Sequence, residues 1–491
     1  MKEVVLAVDC GSHAVRTIAF DVDSGRSTPC ASEDIPLLFP QPGWVEVDPE
    51  VIAAAAIRVV RTALDWAATT DHRVVALGVA NMRETAIAWH RSSQVPLHAG
   101  VMWMSQQSQP VVERWRDAGF DPLIRERTGL SNDAFFFGSK VAWLLENVPR
   151  AQRAASEGEL AVGTIDSWLV NRLTGGQVHR TDVSNASRTQ LLDLRSRRWD
   201  PALMDLLGVP ASCLPEVTPS MAHYGTTHAA VCGQEIPITG VIADQQASLL
   251  GHGCEEAGTA KATFGTSGVV SLNTGEATPL RPGLVTSIAW DDGHGHPTYE
   301  IEGSAFHSGY TMSWLSERTG HPVRFDIDLE PADVPVEDRV YVLPSFTAMG
   351  APRWPRGRGA AITGLGMDAT RQDIMRAGIE AMAFQAYDLF AAMGDATDAT
   401  AEVNVDGGGA SNDFLCHLLA DLLERDVVRP DIRELTSVGA AKAALRGAGR
   451  EVEPYWAQDR SAAERFHPRP GSSYARDGYG RWVELIGAIL G

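Results

Sequence analysis

KEVVLAVDCGSHAVRTIAFDV, residues 2–22, and AKATFGTSGVVSLNTG, residues 260–275, decide the fold when read side by side. In the first, Val4 to Val8 is apolar and β-branched, Asp9-Cys10-Gly11-Ser12 turns, and Arg16 to Val22 resumes an extended pattern before Asp23-Ser24-Gly25 turns again. In the second, Ala260 to Phe264 runs into Gly265-Thr266-Ser267-Gly268, and Val269 to Leu272 leads out to Asn273-Thr274-Gly275. Each is a strand, a small-residue turn bearing hydroxyls, and a returning strand. An echo of this kind between two halves predicts two similar α/β lobes.

Around these hairpins, apolar residues spaced three and four apart predict helices over 50–67, 137–147, 307–317, 371–393 and 411–424. Pro49 and Glu50 suit the first turn of the first helix. Val74 to Val79 reads as a strand, as does Ile236 to Ala243, with a helix expected just after Asp244-Gln245-Gln246. The glycine-rich segment Gly251 to Gly258 is the expected hinge. It divides the chain into an N-terminal lobe, 1–251, and a C-terminal lobe, 252–491, whose tail turns polar from about residue 452 and ends in an amphipathic helix over Trp482 to Leu490.

The 491 residues, 44% of them hydrophobic, exceed what one core accommodates. A net charge of −20 argues against nucleic acid and anionic membrane surfaces as partners. Charge at residues 2, 3 and 9 leaves no signal peptide in the opening stretch. No run approaches the roughly 20 apolar residues that span a bilayer. Six cysteines without CxxC spacing suggest neither zinc nor a disulfide framework, so a cytoplasmic protein is expected.

Without a GxxxxGK[ST] stretch the chain is not a P-loop protein. Phosphates can instead be held by hairpin turns, where glycines admit backbone amides and hydroxyls add donors. Asp9-Cys10-Gly11-Ser12, with Arg16 as a cation, and Gly265-Thr266-Ser267-Gly268 both fit, although either alone reads equally as a tight turn. Asp406-Gly407-Gly408-Gly409-Ala410-Ser411-Asn412 runs from strand to helix and would let a nucleobase or ribose lie against bare backbone. A Rossmann-like match at 364–369 lacks the second strand with its acidic end and reads as chance.

Asp244, at the end of an apolar strand, suits a general base that takes the proton of an attacking hydroxyl. Asp9, at the corresponding end of the first strand, suits a metal that neutralises phosphates. Arg83 and Glu84, one donating and one accepting, match neighbouring hydroxyls of a polyol, and Trp103 would wall its carbon chain. In isolation the pair also reads as a surface ion pair and Trp103 as core. Together these features predict an ATP-dependent kinase acting on a hydroxyl of a small polyol or sugar.

In order and spacing these residues resemble the FGGY carbohydrate kinases, most closely the glycerol kinases among them. The resemblance runs from Asp9 to about Ala441. It includes Pro42-Gly43-Trp44-Val45-Glu46, Asn81-Met82-Arg83-Glu84-Thr85, Lys140-Val141-Ala142-Trp143, Asn185-Ala186-Ser187-Arg188, Ala243-Asp244-Gln245-Gln246, Ala348-Met349-Gly350-Ala351-Pro352 and Asp406-Gly407-Gly408. The family's second signature is nearly complete across Ala360 to Glu380, with Gly378 where a small non-glycine residue is usual.

The resemblance implies two actin-like (ribonuclease H-like) lobes with the active site in the cleft, and Mg2+ and ATP as cofactors. Arg83, Glu84, Trp103, Phe135, Asp244, Gln245 and Val269 would then line the polyol site. Ser12, His13, Arg16, Thr266, Gly309, Gly408 and Asn412 would contact the nucleotide, and Asp9 and Asp244 the metal. It also makes a homodimer or homotetramer plausible.

Three departures bear on the acceptor and the phosphates. Phe135 stands where those enzymes carry a tyrosine, Val269 where a phenylalanine closes the pocket, and His13 and Ala14 where hydroxyl residues line the first turn. His228 to Gly233 lacks the glycine-rich segment that some members use for an allosteric sugar bisphosphate, so no such regulation is expected. Glycerol, giving glycerol 3-phosphate, is the first expectation for the acceptor. A longer polyol or a ketose is the second, and an actin-like ATPase or binding protein without sugar transfer the third.

Overall fold

The computed structural model describes residues 1–320, 325, 329–346, 349–354, 359–396 and 401–490; Ala348 of the expected family match lies outside the described residues. The chain forms two compact units. One comprises Met1–Gly253, Ser287–Tyr299 and Glu434–Ala457; the other comprises Cys254–Thr286, Glu300–Arg433 and Gln458–Gly491. A single division after residue 251 describes only the first of these crossings, since 287–299 and 434–457 return to the first unit.

The first unit is built on a five-stranded sheet in the order Ile238–Ala243, His72–Asn81, Lys2–Cys10, Ala14–Asp21, Ser27–Asp34. The first three strands are parallel and the last two extend the sheet as antiparallel hairpins. Lys2–Cys10 is buried from Val4 onward, as a strand covered on both faces requires. Helix Pro49–Thr69 covers one face through an alanine- and valine-rich stripe. Asp48 starts it by accepting the amide of Glu50, and proline at its first position cannot miss a donor the helix end lacks anyway.

Helix Leu435–Gly447, contributed by the chain's return, covers the other face at very close range. A Cβ at Gly78 would lie 2.2 Å from the carbonyl oxygen of Ala440, and one at Gly240 would lie 2.3 Å from the amide of Ala444. Glycine at both strand positions is what lets helix backbone lie directly on sheet backbone. Thr239 Oγ1 adds a 2.7 Å bond to the carbonyl of Ala444.

The second unit again sets a hairpin beside parallel strands. Within a seven-stranded sheet, Gly268–Gly275, Ala260–Phe264, Val403–Asp406, Val427–Arg429 and Glu464–Phe466 follow one another in that order. The first pair is antiparallel, the next two pairings are parallel, and the last is antiparallel. Helices Arg371–Met393 and Asp413–Leu423 bury their apolar faces in the core, where the terminal helix Tyr474–Ile489 adds Trp482 and Ile486. Helix Arg371–Met393 opens with a reciprocal capping box between Thr370 and Asp373. The segment 364–369 leads from Ala361–Thr363, whose one sheet partner among the described residues is antiparallel Tyr341–Leu343; it is no dinucleotide-binding turn. Among the described residues no helix is long and apolar enough to cross a membrane.

Candidate active site

Three parallel strands of the first unit end level with one another. Ala243 lies opposite Asn81, and Asn81 opposite Cys10. Asp9, the corner after Asn81 and Asp244 therefore occupy one edge, the carboxyl ends of adjacent strands where open α/β sheets place their ligands.

At the corner, the amide of Met82 donates to the carbonyl of Cys10 (2.8 Å) and the amide of Thr85 to that of Arg83 (2.7 Å), forming a tight bend. Glu84 sits in that bend with φ +60°, a left-handed conformation that costs a residue with a Cβ about 1 kcal/mol or more. Burial holds it there: Glu84 is 2% exposed and Arg83 6%. Arg83 Nε lies 3.8 Å from Glu84 Oε1 and 3.5 Å from Asp244 Oδ1, so one guanidinium serves both carboxylates. Asp244 is the first residue of helix Asp244–Gly251 and accepts the amide of Gln245 at 2.7 Å. With 25% of its side chain exposed, it is the most accessible of the three.

Asp9 lies across the hairpin from Arg16, which contacts it at 3.1 Å through Nε and reaches Glu434 Oε2 at 3.0 Å through Nη1. Burial pushes the Asp9 carboxyl up to about 6; Arg16 opposes this, while the charges of Asp244 and Glu434 add to it. Two carboxylates that repel one another across a polar edge suit a hard cation. Among the described residues, however, no cluster of three or more acidic, histidine or cysteine ligands exists. A Mg2+ held by Asp9 and Asp244 would take its other ligands from phosphate and water, the usual pattern for that ion.

The hydroxyl of Ser12 in the first turn accepts the indole Nε1–H of Trp103 at 2.9 Å, joining a residue expected at the nucleotide to one expected at the polyol. Trp103 packs edge-on against Phe135 with centroids 5.6 Å apart. Lys140, fully buried, donates to the carbonyls of Phe135 (2.5 Å) and Phe136 (3.0 Å) and so fixes the backbone behind that ring. Burial holds the Lys140 ammonium down to about 7, against the pull of Glu84 and Asp133. His13 points outward, and its carbonyl accepts the amide of Ile35.

In the second unit the turn 265–267 is tied to the start of helix Ser308–Thr319. The amides of Gly309 and Tyr310 donate to the carbonyls of Gly265 (2.9 Å) and Thr266 (3.1 Å). A Cβ on Gly309 would come within 2.4 Å of the Gly265 oxygen, so glycine there is demanded by the turn itself. Thr266 is exposed. Gly407 takes φ +84°, whereas among the described residues, its chain neighbours aside, a Cβ at Gly408 would meet nothing nearer than the Phe325 ring at 3.8 Å. Among those residues Gly408 is uncrowded. Asn412 is buried: its Oδ1 caps helix Asp413–Leu423 at Leu415 and its Nδ2 donates to the Phe325 carbonyl at 2.7 Å. Val269 is also buried and lines a cavity of about 10 Å3.

Of the residues singled out in the sequence, Asp9, Arg16, Arg83, Glu84 and Asp244 share one edge, with Ser12, Trp103 and Phe135 linked beside them. Gly309, Thr266, Gly408 and Asn412 cluster in the second unit. Three contributors carry no reading of their own in the sequence: Glu434, the partner of Arg16; Lys140; and Arg188, whose Nε donates to Glu84 Oε1 at 2.6 Å. Lys140 and Arg188 fall inside motifs of the family resemblance, which was the one signal available.

The N-terminal domain of the FGGY family of carbohydrate kinases matches residues 4–251, and the C-terminal domain matches residues 260–448. A glycerol kinase of Alkalilimnicola ehrlichii is 42% identical over 452 residues, covering 91% of this chain and 90% of that protein. One from a Polaromonas species is 40% identical, covering 98% of each. The crystal structure of Plasmodium falciparum glycerol kinase with ADP superposes with a TM-score of 0.88 at 25% identity, covering 100% of this chain and 98% of that one. A xylulose kinase from Lactobacillus acidophilus shares the fold, with a TM-score of 0.86 at 19% identity over 99% of this chain and 98% of that one. This chain belongs to the FGGY family of carbohydrate kinases, phosphotransferases with an alcohol group as acceptor.

Proposed function

We propose that the enzyme transfers the γ-phosphoryl group of ATP to a terminal hydroxyl of glycerol, giving glycerol 3-phosphate. The observation that carries this reading is the Arg83 guanidinium shared between buried Glu84 and more exposed Asp244. Such a corner offers a donor and an acceptor for two neighbouring hydroxyls beside a carboxylate able to take the proton of a third. The relatives named glycerol kinase at 42% and 40% identity point to the same acceptor.

In the reaction, Asp244 accepts the hydroxyl proton as the oxygen attacks the γ-phosphorus; the new P–O bond forms while the bond to the departing ADP breaks. Arg83 and Glu84 hold the other hydroxyls, and Trp103 with Phe135 supplies an apolar wall for the carbon chain. Exposed Thr266 and the open backbone at Gly408 are assigned to the nucleotide. Bound Mg2+ would neutralise charge on the transferred phosphoryl group, with Asp9 and Asp244 as its protein ligands. ATP as donor and six cysteines outside any disulfide accord with a cytoplasmic enzyme.

A longer polyol or a ketose is favoured by two departures, Val269 in place of a bulky ring and Phe135 in place of a tyrosine. The cavity of about 10 Å3 that Val269 lines includes none of Arg83, Glu84, Trp103, Phe135 or Asp244, so it does not measure the length of the acceptor. Glycerol is the stronger reading because the relatives at 42% and 40% identity are glycerol kinases. The test is kcat/KM for ADP release with glycerol, erythritol, threitol, xylitol, ribitol and ketoses. Glycerol should rank first; a four- or five-carbon acceptor ahead by orders of magnitude would overturn it.

A further inference from the structure

The segment Asp182–Arg188 carries no step of the reaction above, yet it touches two of the three carboxylate-bearing strand ends of the first unit. Asp182 caps the one-turn helix Val183–Ala186 by accepting the amides of Ser184 and Asn185, each at 2.9 Å. Ser184 Oγ donates to Asp182 at 2.6 Å and accepts the amide of Ala243, the residue before Asp244, at 2.9 Å. The side-chain amides of Asn185 and Asn81 bond reciprocally at 2.9 and 3.1 Å, two residues before Arg83. Arg188 completes the set with its 2.6 Å bond to Glu84 Oε1, and its guanidinium lies 5.3 Å over the Phe136 ring.

We propose that Arg188 is a positioning residue for the acceptor: it fixes the Glu84 carboxylate through Oε1, the oxygen 3.8 Å from Arg83 Nε, leaving Arg83 to be shared with Asp244. This rests on the reading that Glu84 binds the acceptor. Arg188 is 1% exposed, and a buried charge is tolerated only when paired. Its planar fork, stacked on Phe136, fixes direction as well as charge, which a flexible ammonium would not. The left-handed backbone of Glu84 is the kind of strained conformation that surrounding contacts must maintain.

The test compares glycerol KM, ATP KM, kcat and Tm of the full chain with those of Arg188→Met, Arg188→Lys, Glu84→Gln and the Arg188→Met/Glu84→Gln double variant. Losing a charge-assisted bond should raise glycerol KM by about 10- to 100-fold in Arg188→Met. ATP KM should stay unchanged, Arg188→Lys should fall between, and the double variant should be no worse than the worse single one. If Arg188→Met does not fold, Arg188→Lys carries the same readout. Effects that multiply in the double variant, or that fall on ATP KM and Tm while glycerol KM stays fixed, would overturn the proposal. Should Glu84→Gln damage glycerol use while the Arg188 variants do not, the proposal alone fails. Should Glu84→Gln leave glycerol KM untouched, the acceptor role of Glu84 fails and the proposal falls with it.

Discussion

Both units set an antiparallel hairpin beside parallel strands, and they differ in what their strand ends carry. In the first, Asp9 at the penultimate position of its strand faces Arg16 across the hairpin; in the second, Thr263 at the equivalent position faces Val269. Where the neighbouring parallel strand of the first unit ends, buried Arg83 and Glu84 follow; in the second, the bare glycines 407–409 follow. The first edge carries Arg16, Arg83 and the carboxylates Asp9, Glu84 and Asp244; the second carries one carboxylate, Asp406, beside glycine backbone and hydroxyls. Proton transfer and hydroxyl recognition need the first, whereas polyphosphate and a flat base are served by the second. A duplicated scaffold can thus divide a two-substrate reaction by changing a few strand-end residues.

The sharpest way to break this comparison is at Asp244. Asp244→Asn should lower kcat by about 100- to 10,000-fold, the usual worth of a general base, with ADP affinity by calorimetry in the absence of Mg2+ unchanged. Wild-type turnover would remove Asp244 from the chemistry. Gly309→Ala comes next, because its methyl group would collide with the Gly265 carbonyl. We expect a fall in Tm and a rise in ATP KM together; an unaltered Tm would show that the turn has slack.

Asp9 sharpens the electrostatic side. Its carboxyl moves from 3.8 to about 6 on folding, so its contribution to stability is complete below 3.8 and lost as pH rises through about 6. Asp9→Asn lacks that loss. Its stability relative to wild type should therefore climb across this window, by an amount on the order of 3 kcal/mol at most. A difference that is flat with pH would contradict the burial argument. The smallest effect is expected at Val269→Phe, which should overpack the small cavity and cost about 1–3 kcal/mol of stability, read as a lower denaturation midpoint.

Much of this was legible in the sequence because it is local. The hairpins at 2–22 and 260–275 announced themselves through glycine turns, and helix 371–393 through its apolar period. Asp9, Arg83, Glu84 and Asp244 stood out as charges at the ends of apolar runs. What the sequence concealed is long-range. Arg188 meets Glu84 across 104 positions and Glu434 meets Arg16 across 418, distances at which no spacing rule operates. The return of helix Leu435–Gly447 to the first unit was equally hidden: its small residues read as an ordinary helix until Gly78 and Gly240 are seen to admit it. Gly309 was legible as a glycine but not for its reason, since the collision lies with a turn 44 residues earlier.

The division of labour between the units is tested most directly by a crossed pair, Arg83→Ala and Gly408→Ala, with glycerol KM and ATP KM measured in both. Gly408 is suited to this because, among the described residues and apart from its own chain neighbours, a methyl group there meets nothing nearer than the Phe325 ring at 3.8 Å. Glycerol KM should rise in Arg83→Ala alone and ATP KM in Gly408→Ala alone. The reverse pattern, or both constants moving together in both variants, would contradict the assignment of acceptor to the first unit and nucleotide to the second.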